Sequence, residues 1–281
     1  MKGQVAVGVD GSRASLAAVE AAAHEAAMRG VGLRVVHAFV WPATHAPRGS
    51  PLGPPGGTLR EDAEALTAGA VERARSAAPD LDVTSAITTG ETGVALVAQS
   101  RTAQLIVVGG HGAGAVPSSL LGSTAEYLAG HAECPVMVVR GRSAPAGPVL
   151  LAMDGSTAGR PAIEFAFAES SLRHRDVVAL HVEDDGPFVD ERGRIGAEER
   201  ELRDMLSGPH GRHPDVAVDV RVVRGETRRT LIEASADAGL LVTGTRGHGG
   251  LTGLLLGSVS RALLRHAQCP VTVVRADGNG S

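Results

Sequence analysis

Aromatic side chains are nearly absent from this 281-residue sequence, since phenylalanine, tryptophan and tyrosine together make up 2% of it. A hydrophobic core must therefore be built from valine, leucine, isoleucine and alanine, which favours helices packed on a parallel sheet. Hydrophobic residues reach 43% and charged residues 21%, which is the composition of a folded globular protein rather than of a disordered one.

Other absences exclude whole classes of function. No apolar run approaches the ~20 residues of a membrane span, so we predict no membrane association. The net charge of -4 provides no basic surface for nucleic acid, so we predict no nucleic-acid partner. The start of the sequence runs directly into QVAVGVD without a basic and then apolar leader, which predicts a cytoplasmic protein.

Cysteine occurs only at Cys134 and Cys269, each directly before a proline and a strand-like run. We interpret both as small buried hydrophobic residues in a reducing compartment, with a disulfide as the less favoured alternative.

The sequence consists of two homologous halves. The segments Leu105–Arg140 and Leu240–Arg275 align without a gap at an offset of about 135 positions, and about half of their residues match. The openings also match, because VAVGVDGS in the first half corresponds to VLLAMDGS in the second. The short stretch GRSAPAGP between them has the composition of a linker. We therefore predict two domains, at residues 1–142 and 147–276.

Each half alternates near-continuous apolar runs with helical segments. Strands separated by helices indicate a parallel sheet with right-handed crossovers. We predict an α/β chain of two tandem doubly wound domains, each a Rossmann-like five-stranded parallel sheet flanked by helices. The second helix of the second half is expected to be short, around Arg194–Leu206, and the loop Trp41–Gly57 fits neither period.

Two features mark the carboxyl ends of the predicted strands, where open parallel sheets bind ligands. Asp10 and Asp154 end the first strand of each half. After the fourth strand, each half has a glycine, two residues, a second glycine, nine residues and then Gly-Ser: Gly109, Gly112, Gly122 and Ser123, then Gly244, Gly247, Gly257 and Ser258. Glycine lets backbone N–H groups approach an anion, and a helix that starts at Gly-Ser attracts phosphate. Ser123 with Glu126 also matches a capping box.

Simpler interpretations remain open for these motifs. A strand-ending aspartate often forms a turn, loop glycines often form turns as well, and duplication copies a scaffold as faithfully as a site. No lysine follows the Gly-Ser pairs as in a P-loop, and no G-x-G-x-x-G follows the first strand. We find no nucleophile–base pair, metal-ligand spacing or paired acids, so we predict no catalytic residue and no metal site. His37 and His181 are interpreted as core or edge histidines.

The repeated glycine spacing, the strand-ending aspartates and the Cys-Pro-Val-x-Val-Val strands closely resemble the universal stress protein family. The chain is similar to its tandem form, and the resemblance covers nearly the whole sequence. It implies an adenine nucleotide alpha hydrolase-like fold in each half, with ATP as the ligand, with or without Mg²⁺.

Carried over by position, the resemblance implies one ATP-binding set in each half. The aspartates would lie near adenine and ribose, the aliphatic residues would line the adenine slot, and the loop residues would hold the phosphates. The sets are Val9, Asp10, Ala38, Gly109, His111, Gly112, Gly122, Ser123 and Thr124, and then Met153, Asp154, Val182, Gly244, Arg246, Gly247, Gly257, Ser258, Val259 and Ser260. The hydroxyl that follows the loop serine is on Thr124 in the first half and on Ser260 in the second. Because these positions differ, we expect the two halves to bind ATP with unequal affinities.

The function implied is an ATP-binding regulatory protein of the stress response that binds ATP in one or both halves. The alternatives are a slow ATPase or another nucleotide-using enzyme on the same fold, and a dimerisation module with empty sites. The resemblance also implies that the last strands are sheet edges. We therefore predict that Pro135–Val139 pairs with Pro270–Val274 in an intrachain pseudo-dimer, and we expect that two chains can associate into a homodimer. Regulatory protein partners are not specified by the sequence.

Overall fold

The computed structural model describes residues 3–39, 59–112, 121–141, 146–183, 191–245 and 255–276. The loop Trp41–Gly57 lies outside these ranges. Strands and helices alternate in both halves, as predicted. The elements of the first half are β1 (Val5–Val9), α1 (Arg13–Arg29), β2 (Leu33–Phe39), α2 (Leu59–Ala77), β3 (Val83–Thr89), α3 (Thr92–Ser100), β4 (Leu105–Gly109), α4 (Ser123–His131) and β5 (Val136–Val139). Those of the second half are β6 (Val149–Met153), α5 (Arg160–Arg173), β7 (Val177–Glu183), α6 (Glu191–Arg212), β8 (Val218–Arg224), α7 (Thr227–Ala234), β9 (Leu240–Gly244), α8 (Ser258–His266) and β10 (Val271–Val274).

All ten strands form one sheet in the order β3-β2-β1-β4-β5-β10-β9-β6-β7-β8. Neighbouring strands within each half are parallel, whereas β5 and β10 pair antiparallel, with Val138 opposite Val271 and Val136 opposite Val273. The predicted pairing of the two last strands within one chain is therefore confirmed. Each half covers the exposed apolar edge of the other, which is one way in which proteins protect sheet edges.

Helices cover both faces of the sheet. The core on one face is built with α1, α2, α5 and α6, and the core on the other face with α3, α4, α7 and α8; each core continues from one half into the other. Aliphatic side chains dominate both, and Phe167 is the aromatic residue among the largest fully buried side chains. In the described ranges, none of the helices combines the length and the apolar composition needed to cross a bilayer.

Helix α1 begins and ends as its sequence predicts. The Ser12 hydroxyl accepts a hydrogen bond from the backbone N–H of Ser15 at 3.1 Å and so caps the first turn. The helix ends at Gly30, whose left-handed φ of 62° suits a residue without a Cβ.

Helix α6 differs from its prediction. It has 22 residues, Glu191–Arg212, so the short helix expected around Arg194–Leu206 is wrong. Pro209 follows the end of that predicted range, yet it lies inside the helix. Leu202, Leu206 and Pro209 form one buried stripe at helical spacing, so burial of that face outweighs the missing proline N–H.

The capping box predicted for Ser123 is also wrong. Gly122 is the N-cap of α4, with φ of -61° and ψ of 141°, and Ser123 is the first helical residue. The Glu126 carboxylate instead forms ion pairs across the halves with Arg261 at 2.9 Å and Arg265 at 3.3 Å. An acid in this first turn therefore connects α4 to α8.

Both cysteines are buried free thiols, so the alternative of a disulfide is excluded. Burial raises the pKa of Cys134 and of Cys269 to about 12, which keeps both protonated and unreactive at neutral pH.

A cluster of four charged residues joins α1 to α5 between the two halves. Glu25 and Arg29 occupy the same places in α1 that Glu169 and Arg173 occupy in α5. Each arginine contacts both carboxylates, and both glutamates are buried. Burial and, secondarily, the Glu25 carboxylate raise the pKa of Glu169 to about 7, and the two guanidinium groups oppose that shift.

Candidate functional site

Each half contains a cavity at the point where its strand order reverses. The first-half cavity, of about 490 Å³, lies at the carboxyl ends of β1 and β4. The second-half cavity, of about 370 Å³, lies at the equivalent ends of β6 and β9. These volumes lie within the range of roughly 300–1,000 Å³ found for small-molecule sites. Open parallel sheets bind ligands at such positions.

The first-half cavity gathers most of the residues predicted for it. Its lining includes Val9, Asp10, Gly109, His111, Gly112, Gly122, Ser123 and Thr124. Ala38 is not part of the lining, which departs from the prediction that it borders an adenine slot. The Ala38 carbonyl accepts a hydrogen bond from the Thr92 hydroxyl at 3.5 Å, and Thr92 lines the cavity instead.

The second-half cavity gathers every predicted residue that the structure describes. They are Met153, Asp154, Val182, Gly244, Gly257, Ser258, Val259 and Ser260. Arg246 and Gly247 lie outside the described residues. Leu151, Ile163 and Met205 add apolar walls. The cavity lining therefore combines apolar side chains with polar side chains and with the glycines and serines of the loop.

The glycine loops are closed in the same way in both halves. The Gly122 N–H donates to the Gly110 carbonyl at 2.9 Å, and the Gly257 N–H donates to the Thr245 carbonyl at 2.7 Å. These bonds hold the starts of α4 and α8 beside the ends of β4 and β9. The first N–H groups of each helix are thereby brought to the cavity.

Neither of these helix starts has a side-chain cap. Gly122 and Gly257 are the N-caps of α4 and α8, whereas Ser12 caps α1 and Glu226 caps α7 through side-chain oxygens. Helices α3 and α5 are also uncapped, so a missing cap alone does not identify a phosphate site. The starts of α3 and α5 also border the cavities, through Thr92 and Gly159. At α4 and α8 the uncapped start is in addition held by the loop-closing bond beside the end of β4 or β9, so a phosphate there could accept from the helix N–H groups.

The loop glycines differ in why they lack a side chain. A Cβ on Gly109 would lie 2.7 Å from the carbonyl carbon of Ala14 and 2.9 Å from the nitrogen of Ser15, so close packing of β4 on α1 requires glycine there. A Cβ on Gly122 would approach no described atom closer than 3.5 Å, which is ordinary van der Waals contact. Packing therefore explains Gly109 and leaves Gly122 available for contact with a ligand.

The strand-ending aspartates form turns and also face the cavities. Oδ1 of Asp10 accepts from the Ser12 N–H at 2.9 Å, and Oδ1 of Asp154 accepts from the Ser156 N–H at 3.0 Å and its hydroxyl at 2.8 Å. Oδ2 of Asp10 lies 2.8 Å from the position of a Cβ on Gly112, so this carboxylate is directly beside the second loop glycine. The turn-forming interpretation therefore holds, and it leaves each carboxylate on the cavity wall.

Ser260 has a structural partner that the sequence did not indicate. Its hydroxyl donates to the Gly244 carbonyl at 2.7 Å, and the residue is 4% exposed. Ala125 occupies this place in the first half and has no such bond. The hydroxyl of Ser260 therefore contacts the end of β9, a role that the resemblance did not imply.

The two matched histidines have matched partners. Nδ1 of His37 lies 2.8 Å from the Val9 carbonyl, and Nδ1 of His181 lies 3.0 Å from the Met153 carbonyl. Both histidines are partly buried, and each one contacts the first strand of its half from the second strand. This agrees with the interpretation of both as core or edge residues. Of the two, only His181 lines its cavity within the described residues.

Some lining residues were missed by the sequence analysis. Thr92 and Leu96 of α3 line the first cavity, and Thr227 and Leu231 of α7 line the second. A signal was present, because the two pairs occupy equivalent positions and are identical in the two halves.

Comparisons with known proteins agree with this architecture. The model of the universal stress protein family matches residues 1–140 and again residues 146–275. A universal stress protein of Mycolicibacterium smegmatis is 38% identical over 96% of each chain, and one of Mycobacterium tuberculosis is 37% identical, also over 96% of each chain. The crystal structure of a universal stress protein from Archaeoglobus fulgidus has a TM-score of 0.72 at 20% identity, covering 98% of this chain and 100% of its own, which shows a shared fold.

Proposed function

The chain belongs to the universal stress protein family, and we propose that it is a regulatory member that binds ATP, most tightly in its second half. The observation that carries the proposal is the position of the two cavities. Each lies where the strand order reverses and beside an uncapped helix start. A conformational shift between nucleotide-bound and free chains would then alter which partners the protein binds.

In the second half, the proposed ligand contacts both the apolar and the polar residues of the cavity lining. The adenine packs against Met153 and Val182, and the Asp154 carboxylate accepts a hydrogen bond from the ribose or the adenine amine. The phosphates lie at Gly257 and Ser258, where the N–H groups and the partial positive charge of α8 face them. Mg²⁺ accompanies the nucleotide in this proposal, because the helix supplies only about half a unit charge.

The difference between the cavities supports a tighter second site. Val182 lines the second cavity, whereas the equivalent Ala38 does not line the first. The second cavity also has the apolar side chains of Leu151 and Met205 in its wall. An adenine base therefore loses more water-exposed apolar surface in the second site.

Calorimetric titration of the purified chain with ATP tests this proposal. We expect Asp154→Ala to weaken the tighter binding at least tenfold, and Asp10→Ala to affect only a weaker phase. Asp219→Ala is the control, because Asp219 is an exposed acid on β8 away from both cavities. Absence of ATP binding by the native chain, or equal binding by native chain and Asp154→Ala, would contradict the proposal.

The enzyme alternative predicts a different result with the same variants. The described lining of each cavity contains one carboxylate and one imidazole, Asp10 with His111 and Asp154 with His181, and no pair of acids. We therefore expect at most slow ATP hydrolysis. Sustained rapid turnover that is abolished by Asp10→Ala plus Asp154→Ala would replace the regulatory proposal with an enzyme. A chain that purifies without nucleotide and binds none would be a dimerisation module instead.

Three further expectations stay predictions: a cytoplasmic location, association of two chains into a homodimer, and domain bounds at 1–142 and 147–276. Analytical ultracentrifugation of the full chain tests the homodimer, which requires twice the mass of one chain.

A further inference from the structure

Beside the second cavity, three potential metal ligands come together from two elements. His181 and Glu183 lie on β7 and Glu198 lies on α6, and one ligand atom from each lies within 4.8 Å of the other two. Residues two apart on a strand share a face, and Val177 and Ala179 place this face in the core beneath α5 and α6. Glu183 is 8% exposed, and His181 and Glu198 are partly buried. The described part of the chain contains one such group.

The first half provides an internal comparison. His37 matches His181 in the alignment and contacts the end of the first strand in the same way. Phe39 stands where the second half has Glu183, and a benzyl group offers no ligand atom. The histidine is therefore part of the shared scaffold, whereas the buried carboxylate beside it belongs to the second half alone.

The hydrogen bond of His181 sets its chemistry. A carbonyl oxygen can only accept, so Nδ1 carries the proton that it donates to the Met153 carbonyl at 3.0 Å. The neutral ring then has its lone pair on Nε2. Metal-binding histidines generally donate their other ring N–H to a carbonyl or carboxylate in this way, which fixes the tautomer and the ring orientation.

We propose that His181, Glu183 and Glu198 bind one divalent transition-metal ion of the Zn²⁺ or Mn²⁺ class. One imidazole and two carboxylates give such an ion three protein ligands and leave further positions for water. Because His181 also lines the second cavity, the ion lies at the wall of that cavity. The metal site stands on these side chains alone and does not depend on nucleotide binding.

Arg224 is a competing positive charge at this site. It lies opposite Glu183 in the register of β7 and β8, and its Nε is 3.6 Å from Oε2 of Glu183. The metal and Arg224 therefore share Glu183, so removal of the guanidinium should strengthen metal binding while removal of a carboxylate weakens it.

The test is calorimetric titration of the chelator-treated full chain with Zn²⁺, repeated with Co²⁺, whose visible absorption reports its ligands. We expect one ion per chain, and at least tenfold weaker binding in Glu183→Gln, Glu198→Gln and His181→Ala. His37→Ala is the matched control in the first half and should bind as the native chain does. Arg224→Gln should bind more tightly than the native chain.

Two outcomes would overturn the metal site. One is the absence of saturable Zn²⁺ and Co²⁺ binding by the native chain, and the other is native affinity in Glu183→Gln. Thermal unfolding with and without Zn²⁺ distinguishes lost metal binding from lost stability. Zn²⁺ should raise the melting temperature of the native chain and leave that of Glu183→Gln unchanged. Nucleotide binding is measured separately without Zn²⁺, so failure here leaves the ATP proposal unaffected, and the reverse also holds.

Discussion

The two halves have the same strand order and close their glycine loops with equivalent bonds, yet they begin their first helices differently. Helix α1 starts three residues after Asp10, with Ser12 as its cap. In the second half a short 3-10 turn, Thr157–Gly159, separates Asp154 from α5, and Pro161 lies in the first turn of that helix. The start of the first helix therefore differs between the halves, whereas the hydrogen bond that closes the glycine loop is equivalent in both. The feature that the halves share is thus the glycine loop, where phosphate binding is proposed.

The residues that line the two cavities also differ between the halves. Gly8 and Val108 of the first cavity correspond to Ala152 and Thr243 of the second. A Cβ on Gly8 would lie 2.6 Å from the Leu96 side chain, so the first half cannot take the alanine of the second without a shift of Leu96. Similar sequences therefore produce cavities whose lining side chains differ in size and polarity.

The largest expected effect comes from separating the halves at β5 and β10. Val138 is 0% exposed and lies opposite Val271, which is also 0% exposed, so Val138→Glu with Val271→Glu buries two like charges at the strand pair. We expect a loss of more than about 3 kcal/mol in the free energy of unfolding, with an increased radius of gyration in X-ray scattering. Ser85→Glu, an exposed position on edge strand β3, is the control. Unchanged compactness and an unchanged denaturation midpoint would contradict the pairing.

The next effect concerns the charged cluster between α1 and α5. The pKa of Glu169 is raised from 4.5 to about 7, so the folded chain holds this proton more tightly than the unfolded chain does. Between these pH values the unfolded chain loses its proton while the folded chain keeps it, so stability falls as the pH rises, by up to about 3 kcal/mol in total. Glu169→Gln should abolish that decline, as measured by urea unfolding from pH 4.5 to pH 7.

The control for this pH dependence is Glu64→Gln, which changes an exposed acid on α2. It should retain the decline of the native chain. A native profile that rises through this window would show that Glu169 is ionised throughout and held by Arg29 and Arg173.

Two loop glycines should respond differently to alanine. Gly109→Ala places a Cβ against the backbone of Ala14 and Ser15, so we expect about 1–3 kcal/mol of destabilisation from overpacking. Gly122→Ala meets no close contact and should cost less than about 1 kcal/mol, the usual size of an N-cap effect. Chemical denaturation distinguishes the two. Equal costs would mean that packing determines both glycines.

The smallest effect is expected where Glu126 of α4 meets Arg261 of α8. These side chains are 33% and 39% exposed, so water and salt screen the ion pair. A double-mutant cycle with Glu126→Gln and Arg261→Gln should give a coupling below about 1 kcal/mol, lost in high salt. A larger coupling that persists in salt would make this contact a main connection between the halves.

The sequence predicts the elements and the halves better than the contacts between them. Apolar runs predicted the strands, because burial acts on whole segments. The β5–β10 pairing followed from the resemblance to the universal stress protein family, which implied that the last strands are sheet edges in need of protection. The length of α6 was missed because Pro209 stays within a helix whose buried face continues past it. The position of Ser123 was missed because Glu126 finds its partners on α8, which only the folded chain brings near.

The charged cluster was visible in the alignment and was overlooked. Glu25 with Arg29 and Glu169 with Arg173 repeat the same spacing in equivalent helices, which marks a symmetric contact. The sequence indicates the metal-ligand group of His181, Glu183 and Glu198 less clearly. The difference that points to it is Glu183, which stands where the first half has Phe39. Packing of α6 over β7 then brings Glu198 to the pair.

Native mass spectrometry of the full chain at rising ATP concentration tests the central claim most directly, because it counts nucleotides on each chain. We predict a chain that carries one ATP before it carries two, and loss of that first species in Asp154→Ala but not in Asp10→Ala. A chain that carries no ATP at any concentration, or one whose first ATP survives Asp154→Ala and disappears in Asp10→Ala, would contradict the account.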